Sequence, residues 1–330
     1  MNKLRLSIAV GHYDRIRPLV DGEVQIEGVD PVYMTQDPEE IFFRAFRHAD
    51  YDVCELSLSS YAVKIAAGNS PYLAIPVFPS RAFRHSAVYV RNDRGIETPR
   101  DLKGKRIGVP EYQLTANVWV RLFLEEDHDL KASDVTWVRG GYEDPERVEK
   151  IGLNLPRGVV VEDAPPGKTI SDLLASGEVD AVIGPRAPSC FVQGHPKVKY
   201  LFEDPQASAA QWYSRTKIFP IMHTLGVRTT LLEAHPWLAS ALMKGFGKAK
   251  DIALARLTDT SATKVTLPFV ESHLLAARLL MGYDFWSYGF EPNEPTIDKF
   301  LERHHLEGLS ARRLRARELF HPASLESFKI

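Results

Sequence analysis

One pattern recurs along this chain. A short run rich in β-branched residues is followed by a stretch with apolar residues at helical spacing. Arg5–Val10, Asp52–Leu56, Arg106–Val109, Val159–Val161 and Asp180–Ile183 read as strands. Between them, Glu39–His48 places Phe42, Ala45 and Phe46 on one helical face, and Leu114–Glu126 does the same with Val118, Leu122 and Phe123. Ile170–Ser176 is a shorter helix stopped by Gly177, and Trp237–Leu257 is a long amphipathic one. Such alternation predicts an α/β fold of mixed, mostly parallel sheets flanked by helices. The Pro- and Gly-rich stretch Pro156–Lys168 reads as an exposed loop between elements.

A chain of 330 residues with 44% hydrophobic residues has material for two cores. Two extended stretches, Ser86–Arg91 and Pro220–Arg228, stand far apart and read as strands that carry the chain between lobes. They predict a discontinuous lobe 1 (residues 1–86 and 227–330) and an inserted lobe 2 (residues 87–226), with a ligand cleft between the lobes.

Charge narrows the partners. Lys+Arg 41 against Asp+Glu 43 gives a net charge of -2, without the basic excess of a nucleic-acid binder. No apolar run reaches the roughly 18–20 residues that cross a bilayer, so no membrane partner is expected. The start of the chain alternates like a strand and lacks the apolar core of a signal peptide, which reads as cytoplasmic. Two cysteines, Cys54 and Cys190, fit a reducing compartment. The sequence leaves a homo-oligomer open.

Candidate site residues gather where strands give way to helices, the places where open α/β sheets bind ligands. Ser57 and Ser59 follow the strand containing Glu55; Glu111, Tyr112 and Thr115 follow Arg106–Val109; Arg186 follows Asp180–Ile183. Helix N-termini there favour anions, although Ser57, Ser59 and Thr115 could serve only as helix caps. The segment from Phe78 to Ser86 holds Arg81, Arg84 and His85, two guanidinium forks and an imidazole that could grip a dicarboxylate and supply a proton. Arg15, in the loop Gly11-His12-Tyr13-Asp14-Arg15 after the first strand, joins the anion grips. His223 stands in an apolar stretch near the return crossing, and an imidazole titrates near neutral pH.

Other motifs fall away. Gly167-Lys168-Thr169 resembles the end of a phosphate loop, but Glu162 stands where that loop needs glycine. No G-x-G-x-x-G follows a strand, and neither H-E-x-x-H nor paired C-x-x-C occurs. No organic cofactor and no metal-ligating residue is therefore assigned, while a divalent metal stays open. Arg312–Arg317 reads as a solvated helix face, and the aromatic group Tyr283, Phe285, Trp286, Tyr288 and Phe290 as packing or as a flank for an aromatic ligand.

Asp101–Val109 and Gly177-Glu178-Val179-Asp180-Ala181 resemble the segments that open the second lobe in type 2 periplasmic-binding-protein folds. Phe78–Ser86, Val109–Ala116, Pro220-Ile221-Met222-His223 and Trp286-Ser287-Tyr288-Gly289 together resemble the 4,5-dihydroxyphthalate decarboxylase family, from Arg5 to Phe320. The resemblance implies a two-lobed fold and conversion of 4,5-dihydroxyphthalate to 3,4-dihydroxybenzoate with loss of carbon dioxide. Ring chemistry then asks for a proton donor, carboxylate grips and an acceptor for phenol protons. His85 and His223 are the candidate acids. Glu55 or Glu111 would accept the phenol proton, or donate one if a closed site raised its pKa. Arg15, Arg81, Arg84 and Arg186 are the pool for the grips. The competing expectation is a solute-binding protein that holds an aromatic or sulfonate anion without turnover.

Overall fold

The computed structural model describes residues 3–145, 152 and 155–326. Its strands, in chain order, are β1 (Leu4–Val10), β2 (Val29–Thr35), β3 (Val53–Ser57), β4 (Tyr72–Arg81), β5 (Val88–Arg91), β6 (Arg106–Val109), β7 (Thr136–Arg139), β8 (Val160–Asp163), β9 (Ala181–Ile183), β10 (Val198–Tyr200) and β11 (Ile221–Arg228). The chain divides into two units. Unit 1 takes the chain up to Arg81, then Ile221–Asp298, then the chain from Leu314 onward; unit 2 takes Ala82–Pro220 and Lys299–Arg313.

These bounds correct the expected ones in two ways. The first lobe ends at Arg81 and resumes at Ile221, because β4 and β11 both belong to the sheet of unit 1. Residues 299–313, expected in lobe 1, belong to unit 2. There Arg303 pairs with Glu125 at 2.5 Å, Glu307 with Arg121 at 2.6 Å, and the ring of Phe300 packs on Trp119 at 5.2 Å.

Unit 1 holds a sheet in the order β2-β1-β3-β11-β4. β1 runs parallel to β2 and β3, while β11 runs antiparallel to β3 and β4. All five residues of β3 are buried. The helix Pro38–His48 starts on Asp37, whose carboxylate accepts from the Glu39 N–H at 3.0 Å, and turns Ile41, Phe42 and Ala45 inward. Leu6, Ile8, Val53, Ile75, Leu225, Leu242 and Phe246 form part of the core. Each such side chain contributes roughly 1.5–3 kcal/mol on burial.

Unit 2 holds a sheet in the order β10-β5-β9-β6-β7-β8. β6 is parallel to β7 and β9, and β7 to β8; β5 is antiparallel to β9 and β10. The helix Ile170–Ser176 lies where the sequence places it. Thr169 and Asp172 form a capping box at its start, and Gly177 closes it in the left-handed conformation at φ 82°.

Three local expectations are corrected. The expected loop Pro156–Lys168 contains β8: the strand read at Val159–Val161 is present, shifted to Val160–Asp163, where it pairs in register with β7. Arg312–Arg317 does not form a helix face; the only helical turn there is the short Ala316–Leu319. Ser57 occupies the N-cap position of the helix Leu58–Ala66 without a capping hydrogen bond from its side chain, and Thr115 is the first residue of the helix Thr115–His128, whose cap is Leu114. Ser59 is fully buried inside the first of these helices. Among the described residues no helix is long and apolar enough to cross a membrane.

Candidate active site

The central strand β3 carries a carboxylate where a hydrophobic residue would be ordinary. Glu55 is 0% exposed, and an isolated buried carboxylate costs several kcal/mol. Three groups compensate. The Gly11 N–H donates to Oε2 at 2.9 Å, the Tyr13 hydroxyl donates to Oε1 at 2.8 Å, and His223 Nδ1 meets Oε1 at 2.5 Å. His223 comes from β11, where it stands opposite Ser57 and diagonal to Glu55. Its register against β4 shifts on both sides of His223, an irregularity that re-aims a side chain. The His223 ring packs edge-on against Phe42 at 4.8 Å.

Burial pushes the Glu55 carboxyl up, but His223, the Gly11 N–H and the Tyr13 hydroxyl outweigh it and hold Glu55 below the usual carboxylate range. In this arrangement Glu55 is an acceptor, the first of the two roles expected for it. An ionised carboxylate only accepts, so Nδ1 of His223 carries a proton and Nε2, on the other edge of the ring, is the nitrogen that can exchange one with a ligand.

The loop after β1 also positions Arg15. Its Nε donates to the Pro79 carbonyl at 2.6 Å and its Nη1 to Asp14 at 3.0 Å. The guanidinium lies over the Tyr13 ring at 4.2 Å and over the Trp286 ring at 4.3 Å. Trp286 is fixed in turn by its indole N–H, which donates to the Phe78 carbonyl at 3.0 Å. A hollow of about 240 Å³ opens beside this loop, lined among others by Gly11, His12, Tyr13 and Asp14. Arg81, also in unit 1, is 7% exposed and donates through Nη2 to the Ser287 carbonyl at 2.8 Å and to the Asn293 side chain. That edge of its fork ties down the segment 287–293 and is not available for a carboxylate.

Unit 2 holds the other candidates. His85 is 4% exposed and stacks on Phe123 at 4.3 Å, with Phe202 and Trp212 around it. Burial, then His128, lowers its pKa to about 4. Near pH 7 this environment favours the neutral ring over the charged one. Arg84 donates to the Pro185 carbonyl at 3.2 Å, and burial lowers its pKa to about 10, so it stays charged. Glu111 is buried and accepts from the Gln113 amide at 3.2 Å. Tyr112 is a core residue with the Arg121 guanidinium 3.9 Å from its ring centre. Thr115 is buried at the head of its helix. Arg186 is exposed, and its carbonyl accepts from the Tyr142 hydroxyl at 2.8 Å. Among the described residues no three His, Cys, Asp or Glu side chains gather closely enough to hold a metal ion.

The structure thus brings Arg15, Glu55 and His223 into one cluster within unit 1. Sequence reasoning missed Tyr13 as a member and treated Trp286 mainly as packing. A glutamate in an otherwise buried strand was the available signal, because such a group needs partners.

Known proteins share this chain's sequence to different extents. Residues 83–148 match the model of the NMT1/THI5-like family. The 4,5-dihydroxyphthalate decarboxylase of Comamonas testosteroni is 74% identical over 330 residues, covering 100% of both chains. The chain belongs to the 4,5-dihydroxyphthalate decarboxylase family. The relative of the same name from Pseudomonas putida is 78% identical over 213 residues, 64% of this chain and 83% of its own. Among solved structures, this family member resembles the alkanesulfonate-binding protein SsuA of Xanthomonas axonopodis pv. citri, with a TM-score of 0.56 and 13% identity over 97% of this chain and 99% of that one. It resembles the desulfurization enzyme DSZB equally broadly, with a TM-score of 0.52 and 13% identity over 98% of each chain. The shared architecture is the α/β fold of periplasmic binding proteins, which serves receptors and enzymes alike.

Proposed function

We propose that this chain is a carboxy-lyase that converts 4,5-dihydroxyphthalate to 3,4-dihydroxybenzoate and carbon dioxide. The observation that carries this reading is the 74% identity, over the full length of both chains, to a 4,5-dihydroxyphthalate decarboxylase. The reaction needs no electron sink outside the ring. The hydroxyl para to the departing carboxylate pushes an electron pair into the ring, and the carbon bearing that carboxylate takes a proton. The bond to the carboxylate then breaks, its electron pair restores aromaticity, and carbon dioxide leaves.

His223 is the proton donor in this reading. Glu55 holds Nδ1, so Nε2 faces the ring carbon, and the imidazole is recharged from solvent after each turnover. Glu55 acts as a positioning residue and touches no reacting atom. Arg15, held between two aromatic rings, grips a substrate carboxylate through Nη2, which has no hydrogen-bond partner among the described residues. A positioned acid of this kind contributes roughly 10²–10⁴-fold. A cytoplasmic setting goes with this reading, since Cys54 and Cys190 are buried free thiols.

Purified protein mixed with 4,5-dihydroxyphthalate, with and without added divalent metal, should yield one carbon dioxide and one 3,4-dihydroxybenzoate per substrate consumed. Binding of the substrate with no product under either condition would overturn the reading in favour of a receptor.

A further inference from the structure

Tyr13 stands where two parts of the site meet. Its hydroxyl donates to Glu55 Oε1 at 2.8 Å, the same oxygen that faces His223. Its ring lies under the Arg15 guanidinium at 4.2 Å, with Trp286 against that guanidinium at 4.3 Å. The ring lies against the backbone of Gly11: a Cβ on that glycine would sit 2.6 Å from Tyr13 Cζ, so any other residue there would push the phenol aside. Gly11 also gives its own N–H to Glu55 at 2.9 Å. The turn from Gly11 to Arg15 therefore fixes one phenol in one place, with its polar tip on the carboxylate and its face under the cation.

We infer that Tyr13 is a two-armed positioning residue, its hydroxyl setting the Glu55–His223 pair and its ring setting the Arg15 carboxylate grip. The inference rests on the reading of His223 as acid and Arg15 as grip. The phenol suits the donor role because burial, then Glu55, pushes its pKa up and keeps it protonated across the working range. Besides His223, the charged and titratable groups coupled to Tyr13 and Glu55 are Arg15 from the same loop, Cys54 from β3 and Tyr288 from the segment that follows Trp286, and Tyr288 in turn faces Arg15, Arg81 and Asp14. The Ser80 hydroxyl also reaches Tyr13.

The two arms separate by substitution. Tyr13→Phe keeps the ring and removes the hydroxyl. It should lower kcat about 10- to 100-fold, the scale of a hydrogen bond to a charged group. Glu55 loses a donor that favours its ionised form, so its pKa rises and the acidic limb of the kcat profile moves to higher pH. KM, and the affinity for phthalate used as a non-reacting probe in calorimetry, should stay within about twofold. Tyr13→Leu removes both arms and should also weaken phthalate binding about tenfold. Trp286→Leu strips the other face of Arg15; it should weaken phthalate binding similarly and leave the pH limb in place, so the test stands even if Tyr13→Leu does not fold. A Tyr13→Phe protein with the kcat and pH profile of the wild type would overturn the inference, as would one that loses phthalate binding as fully as Tyr13→Leu. Failure of the wild type to release carbon dioxide would sink the decarboxylase reading instead, while the phthalate affinities would still decide the ring's role.

Discussion

Burying an ionised carboxylate inside a sheet is tolerable only when other groups compensate, and Glu55 has a backbone N–H, a phenol and an imidazole arranged around it. Its depressed pKa is also a stability statement. The pair contributes stability above the ordinary carboxylate value of about 4.3 and loses it as pH falls through the lower folded-state value. His85 works at higher pH. Its ring charges at about 4 in the folded chain and near 6.5 when unfolded. The unfolded chain thus binds the extra proton first, and stability should fall as pH drops from about 6.5 to about 4, by about 3 kcal/mol in all. His85→Phe keeps the stack on Phe123 and should flatten that slope in denaturant midpoints measured across this range. An unchanged slope would contradict the burial argument. The sequence singled out Glu55, His223 and Arg15 by residue type, but not that they share one cluster. That depends on the register of β11 against β3 and on the turn after β1, which composition does not encode.

At the scale of elements, the helix Glu294–Leu306 and the residues after it are held by a buried ion-pair network. Glu307 accepts from Arg121 Nη2 at 2.6 Å and Nε at 2.9 Å, and from Arg303 Nε at 2.7 Å, and Glu307 and Arg121 are almost wholly enclosed. Burial pushes Glu307 up, while the two guanidinium groups hold it below the usual carboxylate range. Glu307→Gln leaves Arg121 buried without its counter-charge and should cost about 3–5 kcal/mol, read as a lower denaturant midpoint at unchanged slope. A shift under about 0.5 kcal/mol would contradict the assignment. This network explains why residues 299–313 escaped the sequence-based division: a partner 186 residues away leaves no local signature. Elements with local signatures were legible. The helix Ile170–Ser176 carries its own capping box and terminal glycine, and β6 and β9 are plain apolar runs. β8 was half legible: Val159–Val161 reads as a strand, but its last two residues, Glu162 and Asp163, are exposed and acidic and owe their strand character to pairing with β7.

For the whole molecule, the fold decides little about chemistry, because sulfonate-binding proteins and a desulfurization enzyme share it. Family membership and the Glu55–His223–Arg15 cluster carry the functional reading. The two cysteines belong to different units and are both buried free thiols. Thiol titration should count two groups after denaturation with or without reductant, and few before it; a disulfide would contradict the arrangement. The central claim is that His223, held by Glu55, delivers the proton that releases carbon dioxide. The most direct measurement is the single-turnover rate of carbon dioxide release by wild type and His223→Gln at saturating 4,5-dihydroxyphthalate, with phthalate affinity measured alongside. The account predicts a rate lower by roughly 10²–10⁴-fold in His223→Gln with phthalate affinity little changed. A His223→Gln protein that releases carbon dioxide at the wild-type rate would contradict it.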